Sequence, residues 1–178
     1  MNLEEKTIGT QEVFNGRIIR VRVDKVELAD GQISSREIVE HNGGVAVAAL
    51  NEEGKLLMVK QYRKPFECVT LEIPAGKLEK GEDPEKCGRR ELHEETGYVA
   101  KDMVKLGELY PTPGYCAEKI TVYFTKDMEK SSQMLDDDEF LDVCSYTIDD
   151  LYKMVENGEI RDAKTAYAIL RLKIMQNE

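Results

Sequence analysis

The sequence predicts an α/β protein, a mixed sheet with helices on both sides, preceded by a small N-terminal antiparallel β unit. Three observations predict it. VAVAAL (45–50) and KLLMVKQYR (55–63) are strand-length runs apolar enough to be covered on both faces. A capped helical segment between Asp83 and Gly97 parts them from later strands near 103–110, 120–125 and 140–147. Two more capped helical segments close the chain.

Each element has a local reason. Residues 17–28, RIIRVRVDKVEL, alternate as a strand does, Asp30-Gly31 is a hairpin turn, and 36–41 resume as the second strand. Gly43-Gly44 breaks the pattern, so the expected domains are 1–42 and 43–178. The runs 45–50 and 55–63 are expected to form a hairpin across Asn51-Glu52-Glu53-Gly54. Asp83 suits an N-cap, Pro84 the first helical position, Glu85 the positive dipole end and Gly97 a left-handed C-cap. Gly88 allows close packing of that helix, and Leu92 points to the core. Thr147, with Asp150 three residues on, opens a helix to Asn157 that Gly158 closes, and Asp162 caps the last one. There Ala166, Ile169, Leu170 and Ile174 read as an apolar stripe, either core or a partner contact.

Composition narrows the function classes. The 178 residues suffice for one domain with a sizeable core. A net charge of −10 and a pI near 4.9 disfavour nucleic acid as a partner. Cys68, Cys87, Cys116 and Cys144 lack CxxC spacing and follow no signal peptide, which reads as reduced and cytoplasmic. No apolar run is long enough for a membrane span. Cys87 is an unpromising nucleophile, because acidic neighbours suppress its thiolate. His41 and His93 are too few for a histidine-centred metal site, and His93 reads as a solvent-facing helix residue.

Glu91, Glu94 and Glu95 fall in one narrow sector of the first helix, since successive residues turn by about 100°. Such like-charge neighbours each cost about 0.2–0.5 kcal/mol unless something positive binds. A solvated acidic face is the plain alternative. Clustered hard oxygen ligands suit Mg²⁺ or Mn²⁺ and argue against zinc.

Gly76, Glu82, Arg90, Glu91, Leu92, Glu94, Glu95 and Gly97 stand in the order and spacing of a known signature. The segment resembles the Nudix hydrolase box, departing only where Tyr98 replaces an aliphatic residue. The resemblance implies an α/β/α sandwich over roughly residues 43–175, hydrolysis of nucleoside diphosphates linked to another moiety, and a divalent cofactor. It also implies metal ligation by Glu91, Glu95 and the Ala75 carbonyl, with Glu94 in or beside that set. Gly76, Glu82, Arg90 and Gly97 would be structural supports.

Three further stretches are similar to the ADP-ribose pyrophosphatase branch: Arg36-Glu37, QYRKPFECVTLEIPAGKLE (61–79) and LYPTPGYCAEKI (109–120), with Pro113 in place. By that resemblance Arg36, Glu37 and His41 contact adenosine, Arg63 a phosphate and Glu118 the terminal ribose. The acidic run LDDDEF (135–140) would supply Asp137 as general base and Glu139 near a metal. The expected reaction is Mg²⁺-dependent hydrolysis of ADP-ribose to AMP and ribose 5-phosphate in a homodimer built through the N-terminal strands. Alternatives are another nucleoside diphosphate sugar such as GDP-mannose, or a module that binds a nucleotide without cleaving it.

Overall fold

The computed structural model describes residues 3–135 and 140–176. In order these form β1 (Lys6–Asn15), β2 (Ile19–Glu27), β3 (Ile33–His41), β4 (Gly44–Ala49), β5 (Leu56–Arg63), β6 (Cys68–Glu72) and β7 (Ala75–Lys77). There follow α1 (Pro84–Thr96), β8 (Tyr98–Ala100), β9 (Val104–Leu109), β10 (Ile120–Thr125), β11 (Met128–Lys130), β12 (Leu141–Tyr146), α2 (Ile148–Glu156) and α3 (Ala163–Met175). Two compact units result, one of the N-terminal strands through Gly43 with Tyr110–Lys119, the other of Gly44–Leu109 and the chain from Ile120 onward.

In the first unit β1, β2 and β3 form an antiparallel sheet in that order. The β2–β3 register runs unbroken from Ile19↔His41 to Glu27↔Ile33. β1 was not anticipated, because its sequence KTIGTQEVFN does not alternate cleanly and every residue is exposed. Its ladder also carries two irregularities, between Thr7 and Gly9 and between Glu12 and Phe14. Asp24 is buried and accepts hydrogen bonds from Thr10 Oγ1 at 2.8 Å and Arg22 Nη1 at 2.5 Å. Tyr110–Lys119 joins this unit where Ala117 N–H donates to the Val39 carbonyl at 2.9 Å.

In the second unit a mixed sheet has the order β7-β4-β10-β9, with β10 parallel to β4 and its other pairs antiparallel. A second, antiparallel sheet has the order β12-β5-β6, and β11 pairs with β8. β4 is buried at every residue. Ala46 and Ala48 on one face join Ile148 and Leu151 of α2 and Ala168, Ile169 and Leu172 of α3. On the other face Val47 and Ala49 meet Leu92 of α1, and Val45 meets Cys87. Helices therefore cover both faces of this strand. Truncating the fully buried Leu92 to Ala would cost about 2–5 kcal/mol. Gly88 permits the approach of α1, as a Cβ there would lie 3.1 Å from Val45 Cγ2 and 3.3 Å from Val47 Cγ2.

The caps are those expected. Asp83, Thr147 and Asp162 accept from the backbone N–H of Lys86, Asp150 and Thr165 at 3.0, 3.1 and 3.0 Å, and Gly97 closes α1 with φ 72°. Two expectations fail and one is met in part. β4 and β5 are not a hairpin: the Asn51–Lys55 turn forms, but beyond the Leu50↔Leu56 bridge the strands enter different sheets. An all-buried β4 is better served by neighbours on both edges than by its sequence neighbour. The buried side of α3 is Thr165, Ala168, Ile169 and Leu172, while Leu170 and Ile174 are exposed. Of the expected stripe Ile169 is core, while Leu170 and Ile174 face outward and Thr165 and Lys164 point inward. His93 is half-buried rather than solvent-facing, and its Nε2 has no hydrogen-bond partner among the described residues.

Candidate active site

Caps at both ends fix the phase of α1, and the i, i+4 repeat then turns Glu91 and Glu95 to one side of it. Both are buried, 8% and 2% exposed. Their surroundings come from β7. The Ala75 N–H donates to Glu95 Oε2 at 3.1 Å, placing the Ala75 peptide beside that carboxylate. Gly76 makes room for the other, since a Cβ on it would lie 1.8 Å from Glu91 Cδ and 1.9 and 2.3 Å from its oxygens. Only glycine fits there without moving Glu91.

Arg90 organises the rim. Its Nε and Nη2 donate to Glu82 Oε1 and Oε2 at 3.3 and 3.4 Å, and its Nη1 donates to Glu94 Oε2 at 2.8 Å. The same Nη1 lies 2.9 Å from Glu91 Oε1. Burial opposes the Arg90 charge, but hydrogen bonding to Glu82 and the field of Glu91 outweigh it and raise its pKa. Glu82 also accepts the Glu79 N–H at 2.9 Å, and although burial works the other way, this bond and Arg90 lower its pKa. Glu82 thus ties the loop before α1 to the helix. At the far end Gly97 has no room for a Cβ, which would stand 2.9 Å from the Gln133 nitrogen. Gln133 Nε2 and Met134 N–H donate to the carbonyls of Glu95 and Glu94 at 2.5 and 3.0 Å, anchoring the chain just before the acidic run. Asp137 and Glu139, expected as general base and metal ligand, lie outside the described residues.

Two buried carboxylates beside a glycine-made space offer hard oxygen donors, a chemistry that suits a divalent cation. Among the described residues no three His, Cys, Asp or Glu side chains gather closely enough to hold an ion by themselves. Arg90 Nη1 lies against both Glu94 and Glu91, at 2.8 and 2.9 Å. Cys87 is fully buried, and burial, then Glu91 and Glu82, push its thiol up to about 12, which disqualifies it as a nucleophile.

Of the residues expected to bind substrate, the first unit brings His41 and Glu118 together, with 3.6 Å between Nδ1 and Oε1. His41 Nδ1 accepts the Gly43 N–H at 3.0 Å, so a neutral His41 has no proton there for Glu118. Arg36 is paired with Glu5 and also donates to Ser34 Oγ and the Ser35 carbonyl at 3.1 and 2.9 Å. Glu37, its strand neighbour, is exposed and faces the opposite side of β3. In the second unit Arg63 grips Glu72 with Nε and Nη2, both at 2.8 Å. Asp162, expected only as a helix cap, and Glu72 and Lys164, given no role by the sequence, form a charged cluster with Arg63. Its one available signal was Lys164 on what proves to be the buried side of α3.

Residues 40–168 match the family model described as NUDIX domain, and residues 5–39 match the nucleoside diphosphate sugar hydrolase N-terminal domain. The chain is 49% identical over 177 residues to an ADP-ribose pyrophosphatase of Bacillus subtilis (strain 168), covering 98% of this chain and 96% of that one. It is 46% identical over 175 residues to a methanol dehydrogenase activator of Bacillus methanolicus, covering 97% and 95%. A crystal structure of an ADP compounds hydrolase superposes with a TM-score of 0.86 at 21% identity, covering 99% of this chain and 97% of that one, and so shares the fold.

Proposed function

The chain belongs to the NUDIX domain family, and from that premise we propose that it hydrolyses the pyrophosphate of ADP-ribose to AMP and ribose 5-phosphate. The observation that carries the reaction class is the buried Glu91–Glu95 pair set against Ala75 and Gly76. The substrate is supported by near full-length likeness to an ADP-ribose pyrophosphatase. Glu91, Glu95 and the Ala75 carbonyl would hold Mg²⁺, and Glu94 would join them on release from Arg90. A divalent ion bound there supplies charge neutralisation for the diphosphate and acidifies water.

The protein's own groups do the rest. Arg90 and Glu82 hold the loop and helix at fixed spacing. Arg63 binds a phosphate oxygen, and His41, Glu118, Arg36 and Glu37 select the nucleoside and ribose. The general base is assigned to Asp137, with Glu139 beside the metal. Arg36 must leave Glu5 to reach adenosine, and a second copy meeting β1 would supply the occasion. β1 is exposed along its whole length, with Ile8, Val13 and Phe14 about half exposed, as expected of a surface that dimerisation covers. All four cysteines are free, which suits a cytoplasmic enzyme. Among the described residues no helix is long and apolar enough to cross a membrane.

A panel of ADP-ribose, ADP-glucose, GDP-mannose, NADH, diadenosine polyphosphates and 8-oxo-dGTP with Mg²⁺, ranked by kcat/KM, tests the reading. ADP-ribose should lead. Preference for a nucleoside triphosphate would overturn the assignment. A second reading is favoured by the likeness to a methanol dehydrogenase activator: the same site would act in the service of a dehydrogenase. Stimulation of a methanol dehydrogenase by the wild type, and not by Glu91→Gln, would support it.

A further inference from the structure

Glu72 and Lys164 form a buried ion pair that nothing above employs. Glu72 ends β6 and is 3% exposed, while Lys164 lies in the first turn of α3 and is 8% exposed. Two charges are withdrawn from water only at a large desolvation penalty, so the pair makes sense if it holds something in place. The Glu72 carboxylate takes Arg63 Nε and Nη2 at 2.8 Å each, Thr70 Oγ1 at 2.6 Å and the Lys164 ammonium. Lys164 is also 3.0 Å from Asp162 Oδ2. Two cations and two carboxylates thus balance.

A two-point fork fixes the plane of a guanidinium. With Nε and Nη2 both committed to Glu72, the direction of Nη1 is set by that carboxylate. Among the described residues Nη1 makes no hydrogen bond, and the Arg63 side chain is 38% exposed. The same turn of α3 is tied to the strand end, since Ile73 N–H donates to Thr165 Oγ1 at 3.0 Å. Two residues further on, Ala75 N–H holds Glu95.

We propose that Lys164 is a positioning residue: by anchoring and neutralising Glu72 it fixes the Arg63 fork with Nη1 free for the diphosphate of the substrate. The inference rests on the reading of Arg63 as a phosphate contact. Without Lys164 the cluster carries a net negative charge, and Arg63 alone must compensate Glu72. Both changes weaken an anionic ligand before they touch the chemical step.

The test is a double-mutant cycle of Lys164→Met and Arg63→Met with ADP-ribose and Mg²⁺, alongside ¹⁵N NMR of the Arg63 Nε–H in substrate-free protein. Lys164→Met should raise KM about tenfold and leave kcat within about twofold, and Lys164→Arg should recover most of the loss. In the Arg63→Met background the added Lys164→Met should change KM by less than about twofold. The Arg63 Nε–H resonance should be ordered in wild type and broadened or shifted in Lys164→Met. Losses that multiply in the double variant would mean that Lys164 meets the substrate itself, and would overturn the proposal. So would a lowered Tm with unchanged KM and an unchanged Arg63 resonance. If Lys164→Met does not fold, Lys164→Gln, which keeps a donor but no charge, runs the same cycle. A wild type that cleaves nothing in the panel refutes the catalytic reading, whereas the NMR response alone decides whether Lys164 fixes the fork.

Discussion

Gly76 and Glu91 share one space: a Cβ on residue 76 would lie 1.8 Å from the Glu91 carboxyl carbon. Gly76 is not among the glycines with positive φ, so Ala is tolerable to the backbone, and the three atoms nearest its Cβ all belong to Glu91. Gly76→Ala should therefore fold, with a circular dichroism spectrum like that of wild type. Displacing Glu91 should lower kcat by about a hundredfold, or roughly 2.7 kcal/mol of barrier. Full activity in that variant would show that the position of Glu91 is immaterial.

Glu91→Gln and Glu95→Gln separate a metal site from a solvated acidic face. On the proposed reading each lowers kcat by about a thousandfold at saturating Mg²⁺, because a carboxylate ligand is lost where charge develops. In metal-free protein the relief of like-charge crowding is offset by the lost charge opposite Arg90 and the Ala75 N–H, so Tm should stay within about 2 °C of wild type. Adding Mg²⁺ should raise the Tm of wild type and not of either variant. Activity retained in both would sink the assignment.

α1 was legible because its signals are local. Asp83, Pro84, Gly97 and the spacing of Glu91 and Glu95 all act within a few turns, so helix, caps and acidic side followed from short-range rules. The parallel pairing of β4 with β10 was not legible, since nothing in VAVAAL distinguishes its two edge partners. Glu72 and Lys164 are 92 residues apart, and only the completed fold brings one charge to the other. β1 escaped notice for the opposite reason: with every residue exposed, no burial imposed a pattern on it.

Glu72 should make the fold acid-sensitive. Burial alone would raise its pKa, but Arg63, Lys164 and Thr70 outweigh burial and depress it from 4.5 to about 2. A depressed carboxylate contributes stability that is fully present above its unfolded pKa near 4.5 and is lost as pH falls through about 2. The linked contribution is on the order of 3 kcal/mol. Urea unfolding of wild type should weaken progressively between pH 4.5 and 2. Glu72→Gln, less stable at neutral pH, should show a shallower decline across that window. Parallel curves would mean that Glu72 titrates alike in both states.

Thiol chemistry offers a check on the core beneath the site. Cys68 is exposed, Cys116 and Cys144 are half-buried, and Cys87 is buried in α1. Burial foremost, then Glu91 and Glu82, lift the Cys87 thiol to about 12, leaving about one thiolate in a hundred thousand at pH 7. Iodoacetamide on native protein, followed by peptide mass spectrometry, should label Cys68 first and leave Cys87 unmodified until the fold opens. Subdenaturing urea should speed Cys87 labelling in step with the unfolded population, because the thiol reacts only when α1 separates from Val45. Labelling of Cys87 as fast as Cys68 in native buffer would show that α1 does not seal this side of the sheet.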